Sequence, residues 1–233
     1  MTGLVVGSMA PDFEYFIRMK DYSLYSHTWK GIIYFDLPLS ILLAFLFHQL
    51  VRNYLIDSLP GLLNRRLDSF KQFDWTRHFK EKFLVILISI IIGTVSHILW
   101  DGLTHKSGYF VKHMPFLRQY IGIGGHHMAL YEWSQYAWSL IGGLLILYAL
   151  FKLPAGKEVS KPSIFPYWFS VTFIMCAVTA AKIARGLPYR DFDKMIIVLI
   201  SGWLIGLLFT SLLFMQRKPA TKNQLADTGN MAA

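Results

Sequence analysis

Residues 93–105, GTVSHILWDGLTH, close a long apolar run with His97 and Asp101 four positions apart and His105 four further on. On a helix, side chains four apart stand one above the other on one face. Imidazole and carboxylate are ligand types that suit Zn²⁺, Mn²⁺ or Fe²⁺. Two other segments offer more of the same: PDFEYF supplies Asp12 and Glu14, and YSHTWKG supplies His27. Together Asp12, His27, His97 and Asp101 form a candidate site for a divalent metal, with zinc the first expectation. A mixed His/Asp site that keeps one position open lowers the pKa of bound water, which makes a nucleophile near neutral pH.

Glu14 and His105 are the candidate catalytic groups. Glu14 suits a further carboxylate ligand or the base that orients water, and His105 stands beside the ligands with Ser96 and Thr104. GGHHMALYEW adds His126 and His127, which with Arg185 and Arg190 are candidates for binding a polar or anionic headgroup. Each has a plainer explanation. The His97/Asp101 spacing also suits a helix-packing hydrogen bond, and an aspartate after proline is a common helix cap. Loop histidines are often simply solvated, and arginines flank helix ends. What favours the site is joint placement, since an ionisable residue inside an apolar span is costly and usually faces a cavity, partner or pathway.

These residues must be positioned by membrane helices. Of 233 residues 54% are hydrophobic and 16% charged, with mean hydropathy +0.40; soluble domains carry about 25% charged residues. A bilayer crossing needs about 20 mostly apolar residues. The sequence predicts an all-α polytopic helix bundle, a single membrane domain over 1–216, with five spans at about 32–54, 83–103, 135–151, 164–183 and 195–215. Residues 11–31 are aromatic-rich and mixed in charge, which predicts an interfacial segment before the first span. The start lacks a positive n-region, and its apolar part is too short to span, so no cleavable signal is expected. The last residues, 217–233, are expected to be a disordered tail. Cys176 lies within an apolar run, so a packing role is expected and a disulfide framework is not.

The net charge of +9 belongs to scattered residues without a nucleic-acid motif, so membrane lipids and not nucleic acid are the expected partners. If the 55–82 loop is cytoplasmic, that side holds thirteen of the 23 Lys and Arg, which favours a cytoplasmic C-terminus. Either way, residues 11–31, the end of the second span, the 104–134 loop and the 184–194 loop share one membrane face.

At GSMAPDFEYF, YSHTWKG and GTVSHILWDGLTH the sequence resembles a bacterial family of polytopic membrane proteins catalogued as domain of unknown function 4184. The resemblance runs to about Met215. More distantly, the order of motifs is similar to inner-membrane proteins named as metal-dependent hydrolases. Those carry an early His, then Pro-Asp-x-Asp, Thr-His-Ser and Ser-His-x-x-x-Asp. That resemblance places Asp12 and Glu14 on the first pair, His27 on the middle histidine, and His97 and Asp101 on the last pair. Glu14 replaces the second aspartate, and the early histidine has no counterpart, which implies either an upstream start or a site short of one ligand.

The resemblance implies a bacterial inner-membrane enzyme, a metal-dependent hydrolase of a phosphoester or lipid-linked substrate. The alternatives are a metal or proton transporter and a non-catalytic membrane scaffold. Transport is disfavoured because the spans at 135–151, 164–183 and 195–215 contain no Asp, Glu or His, although Asp36 and His48 lie in the first.

Overall fold

The computed structural model describes residues 1–156, 164–188 and 190–216. The expected disordered tail, 217–233, lies outside the described residues. The architecture is all-α, with five helical stretches long and apolar enough to cross a membrane: Trp29–Asp57, Phe83–His113, Leu130–Lys152, Ile164–Ala184 and Phe192–Gln216. Each overlaps one of the five stretches expected from the sequence, and the second runs ten residues further.

The N-terminal segment is more than interfacial. Helix α1, Thr2–Arg18, runs parallel to α7, Phe83–Thr104, over most of its length. Gly3 packs against Ile86 and Ser89, Gly7 against Ile90, and Gly93 of α7 against Leu4 and Ser8. Small residues let two backbones approach closely where apolar burial gives little driving force. A Cβ on Gly7 would stand 2.3 Å from the Ile90 carbonyl oxygen, and one on Gly93 would stand 2.3 Å from that of Leu4. Leu4, Val5 and Met9 point outward from this seam.

Pro11 lies inside α1 and has no amide to give to the Gly7 carbonyl one turn back. The Thr94 hydroxyl of α7 reaches that oxygen at 3.1 Å instead, sharing its proton with the Ile90 carbonyl at 3.1 Å. In an apolar layer every backbone polar group needs an internal partner, so this bond lets the proline sit at depth.

The first span is built of α2 (Trp29–Gly31), α3 (Leu37–Leu46) and α4 (Arg52–Asp57), joined by π-helical turns at Ile32–Asp36 and Phe47–Val51. At its far end Arg52 is buried and donates to the carbonyls of Lys71 and Phe73, at 3.0 and 2.8 Å. This pins the connection that carries α5 (Gly61–Leu67) and α6 (Trp75–Glu81) to the start of α7. His48 is buried there, stacked on Trp75 and bonded to Arg52 and Thr2.

After α7 the 104–134 loop is structured. It holds α8 (Tyr109–His113) and a hairpin of β1 (Tyr120–Ile123) and β2 (His126–Ala129). Gly124 and Gly125 have φ of 59° and 85°, the left-handed pair that a two-residue hairpin turn requires. The hairpin leads into α9 (Leu130–Lys152), whose outer surface is apolar and exposed. Helices α10 (Ile164–Ala184) and α11 (Phe192–Gln216) pack through Gly202 and Gly206 against Met175 and Val171. Ser201 of α11 donates to the Phe16 carbonyl at 2.8 Å and ties this pair to α1. Cys176, expected in packing, is exposed on α10.

Candidate metal centre

The parallel seam fixes the register that brings distant residues together. With Gly7 against Ile90, the next turns of α1 and α7 bring Asp12 beside His97 and Asp101. The chain after α1 returns to deliver His27 to the same point. Asp12, His27, His97 and Asp101 each offer one ligand atom, and these four atoms all lie within 4.8 Å of one another. His27 Nε2 is 3.2 Å from Asp101 Oδ2 and 3.8 Å from Asp12 Oδ1. His97 Nε2 is 3.2 Å from Asp101 Oδ2 and 3.5 Å from Asp12 Oδ1. Four donors at about 2.0–2.1 Å from a tetrahedral cation stand about 3.4 Å apart, so the spacing fits a zinc-like ion.

His27 is held by a clamp that begins at Glu14. The Glu14 carboxylate is buried and accepts the amides of Leu24, Tyr25 and Ser26 at 2.7, 3.0 and 2.7 Å, with Arg18 at 3.2 Å. Burial alone would raise its pKa, but these backbone donors outweigh burial and hold it at about 2. Glu14 therefore faces the 24–26 turn, and it is not among the four clustered residues. The clamp also stabilises the left-handed backbone of His27, whose φ is 59°.

The Ser26 hydroxyl lies 3.0 Å from His27 Nδ1 and is the partner of that nitrogen. His27 Nε2 is left to face the Asp101 and Asp12 carboxylates. Both His27 Nε2 and His97 Nε2 are buried without a hydrogen-bond partner. Lone pairs from two imidazoles and two carboxylates converging on one point are the donor set of a divalent cation.

His105 Nδ1 is 3.5 Å from Asp101 Oδ1, the oxygen turned away from the other histidines, and the His105 side chain is 48% exposed. Tyr15 packs its ring 5.4 Å from that of His27. Burial, and then the Asp12 and Asp101 charges, raise its phenol above the ordinary value, although a Ser23 hydrogen bond opposes them. Ser96 donates to the Gly93 carbonyl and Thr104 to that of Trp100, both within α7.

The remaining sequence candidates stand elsewhere. His126 and His127 lie on β2, exposed, with the His127 ring against Gly122 across the hairpin. Arg185 and Arg190 lie in the α10–α11 connection. Sequence reasoning missed Ser26, Arg18 and the Thr94–Gly7 bond. The Gly3-x-x-x-Gly7 spacing was the available signal for the seam, whereas nothing local marks Ser26 as the link between Glu14 and His27.

A family model described as "Domain of unknown function (DUF4184)" matches residues 1–212, a region that contains the whole cluster. No curated protein and no solved structure matches.

Proposed function

The chain belongs to this family of unknown function, and we propose that it is a membrane-embedded, divalent-metal-dependent hydrolase acting on a phosphoester or lipid-linked substrate. The observation that carries the reading is the pair of buried, unpartnered Nε2 atoms of His27 and His97, which converge with Asp12 and Asp101. A divalent cation bound there, zinc by the donor set, would supply Lewis-acid chemistry and lower the pKa of water. The chain's own residues do the rest. Asp12, His27, His97 and Asp101 would hold the ion, while Glu14 holds the 24–26 turn and Ser26 meets His27 at Nδ1. His105, beside Asp101 and reachable from solvent, accepts and returns the proton.

Substrate class follows from place. The centre lies near the end of α7, beside the aromatic-rich turn that enters the first span, where a headgroup and water meet. His126, His127, Arg185 and Arg190 belong to connections on that same face and are the proposed headgroup contacts. The bacterial inner membrane, with the C-terminus in the cytoplasm, is the proposed setting, supported by the Lys/Arg bias.

The test is metal analysis of detergent-purified protein together with hydrolysis of a chromogenic phosphodiester. Wild type is expected to carry one equivalent of zinc or manganese and to hydrolyse the ester. His97→Ala and Asp101→Asn are expected to lose both. Background metal alike in all three ends the proposal.

A further inference from the structure

The turn that delivers His27 also builds a groove. Leu24, Tyr25, Lys30, Gly31, Tyr34 and Phe35 line a space of about 450 Å³, within the roughly 300–1,000 Å³ of sites that take small molecules. Its walls are fixed. The Tyr25 amide is held by Glu14 at 3.0 Å. The Thr28 hydroxyl donates to the Tyr25 carbonyl at 2.8 Å and accepts the Gly31 amide at 2.9 Å. Gly31 lies so close that a Cβ there would stand 2.0 Å from the Tyr25 carbonyl oxygen. The Tyr25 ring stacks on that of Phe35 with centroids 5.9 Å apart. The groove is therefore a formed part of the fold.

Its chemistry is an apolar wall with one cation at the rim. Lys30 is exposed and makes no ion pair among the described residues. The first apolar stretch begins at Trp29, so Lys30 stands at the edge of the hydrocarbon, and Tyr34 and Phe35 lie about one turn further in. Tyr25, Trp29 and Tyr34 are 60, 71 and 82% exposed, amphipathic aromatics of the kind that settle at headgroup level. Aromatic walls that run inward from an unpaired ammonium complement an acyl chain beneath a negatively charged headgroup. A free anion would engage Lys30 and leave those walls uncovered. We propose that this groove is a binding site for one anionic phospholipid, with its phosphate on Lys30 and the first part of an acyl chain along Tyr25, Tyr34 and Phe35. The proposal concerns lipid binding and does not rest on the metal-centre reading.

The experiment reconstitutes the full chain in phosphatidylcholine nanodiscs that contain a minor share of phosphatidylglycerol with a photoactivatable diazirine on its acyl chain. After irradiation the labelled peptides are mapped by mass spectrometry. Labelling is expected to concentrate on residues 24–35, to be competed by unlabelled phosphatidylglycerol, and to resist excess phosphatidylcholine and inorganic phosphate. Lys30→Gln should weaken it about fivefold, the contribution of one cation beside an anionic headgroup, whereas Lys30→Arg should keep it. Tyr34→Ala should weaken it about threefold, through lost aromatic contact. Tyr136→Ala, which removes an exposed aromatic of α9, should leave it unchanged.

Label spread evenly over exposed apolar helices such as α9 overturns the proposal, because it marks only the general lipid contact of a membrane protein. So does a Lys30→Gln variant labelled like wild type. Competition by inorganic phosphate overturns it in favour of a free anion, and a dimer whose contact shields residues 24–35 overturns it in favour of a second copy of the chain. The readout needs neither bound metal nor turnover, so its failure and that of the hydrolase reading are separate results.

Discussion

Glu14 accepts the Ser26 amide at 2.7 Å, and the Ser26 hydroxyl lies 3.0 Å from Nδ1 of the neighbouring His27, so one buried carboxylate holds the backbone turn from which that ring is met. The link is indirect but complete: α1 carries Glu14, the turn carries Ser26, and the proposed ligand His27 follows next in the chain.

Glu14→Gln tests that link. Gln cannot accept all three amides and pair with Arg18, so the variant is expected to lose roughly 1.5–3 kcal/mol of stability. Metal affinity should fall about 10–100-fold, as when the supporting partner of a ligand is removed. The pH dependence has a definite direction. The folded-state pKa of about 2 lies below the ordinary value of about 4.3. The stabilisation is therefore whole above the ordinary value and is lost as pH falls toward the folded one. Melting curves should show the gap between wild type and Glu14→Gln closing in that window; a gap that widens there contradicts the account.

Thr94→Val is expected to cost about 1–3 kcal/mol, because it removes the donor that reaches the Gly7 carbonyl. Pro11→Ala restores an amide at the position one turn on, which reclaims that oxygen. The double variant should recover much of the loss. Additive losses in a double-mutant cycle would show that the bond does not compensate for the proline.

Gly7→Ala and Gly93→Ala should each force the α1–α7 seam apart, with losses of roughly 1–3 kcal/mol typical of overpacking and a matching drop in bound metal. Gly142→Ala is the control, since nothing lies within 4 Å of its added Cβ. Thermal unfolding and metal content, measured on the same samples, check both halves.

His105→Ala separates holding from turnover. Of the four clustered residues its ring meets Asp101, at the outer oxygen, so metal content should stay at the wild-type level. The hydrolysis rate should fall by about 10²–10⁴-fold, the range for loss of a general acid–base group. Loss of metal in this variant would instead make it a ligand.

The spans were legible because length and apolarity decide them. The His97/Asp101 pair was legible because helical periodicity puts i and i+4 on one face. What local pattern could not convey was register between elements. Asp12 meets His97 only because Gly7 and Gly93 let two backbones run side by side, and a segment judged too short to span turned out to pack along one that does. Glu14 was read by its chemistry alone, as a ligand or base; its surroundings are the amides of residues 24–26, which no spacing rule anticipates. The hairpin at 120–129 was hidden for a related reason, since four-residue strands bracketing two glycines resemble any glycine-rich loop. Asp36 was visible only as a charge in a span, and its burial without a hydrogen-bond partner among the described residues is a fact of packing.

The parallel pairing of α1 with α7 divides the centre between one segment and another that emerges from the ribosome more than eighty residues later. The first span and the α5–α6 connection must therefore already be threaded before Asp12 can meet its partners. Ion capture would then mark the moment when this half of the bundle closes, and a chain stalled before the second crossing would be left with an unshared aspartate and histidine at the bilayer edge.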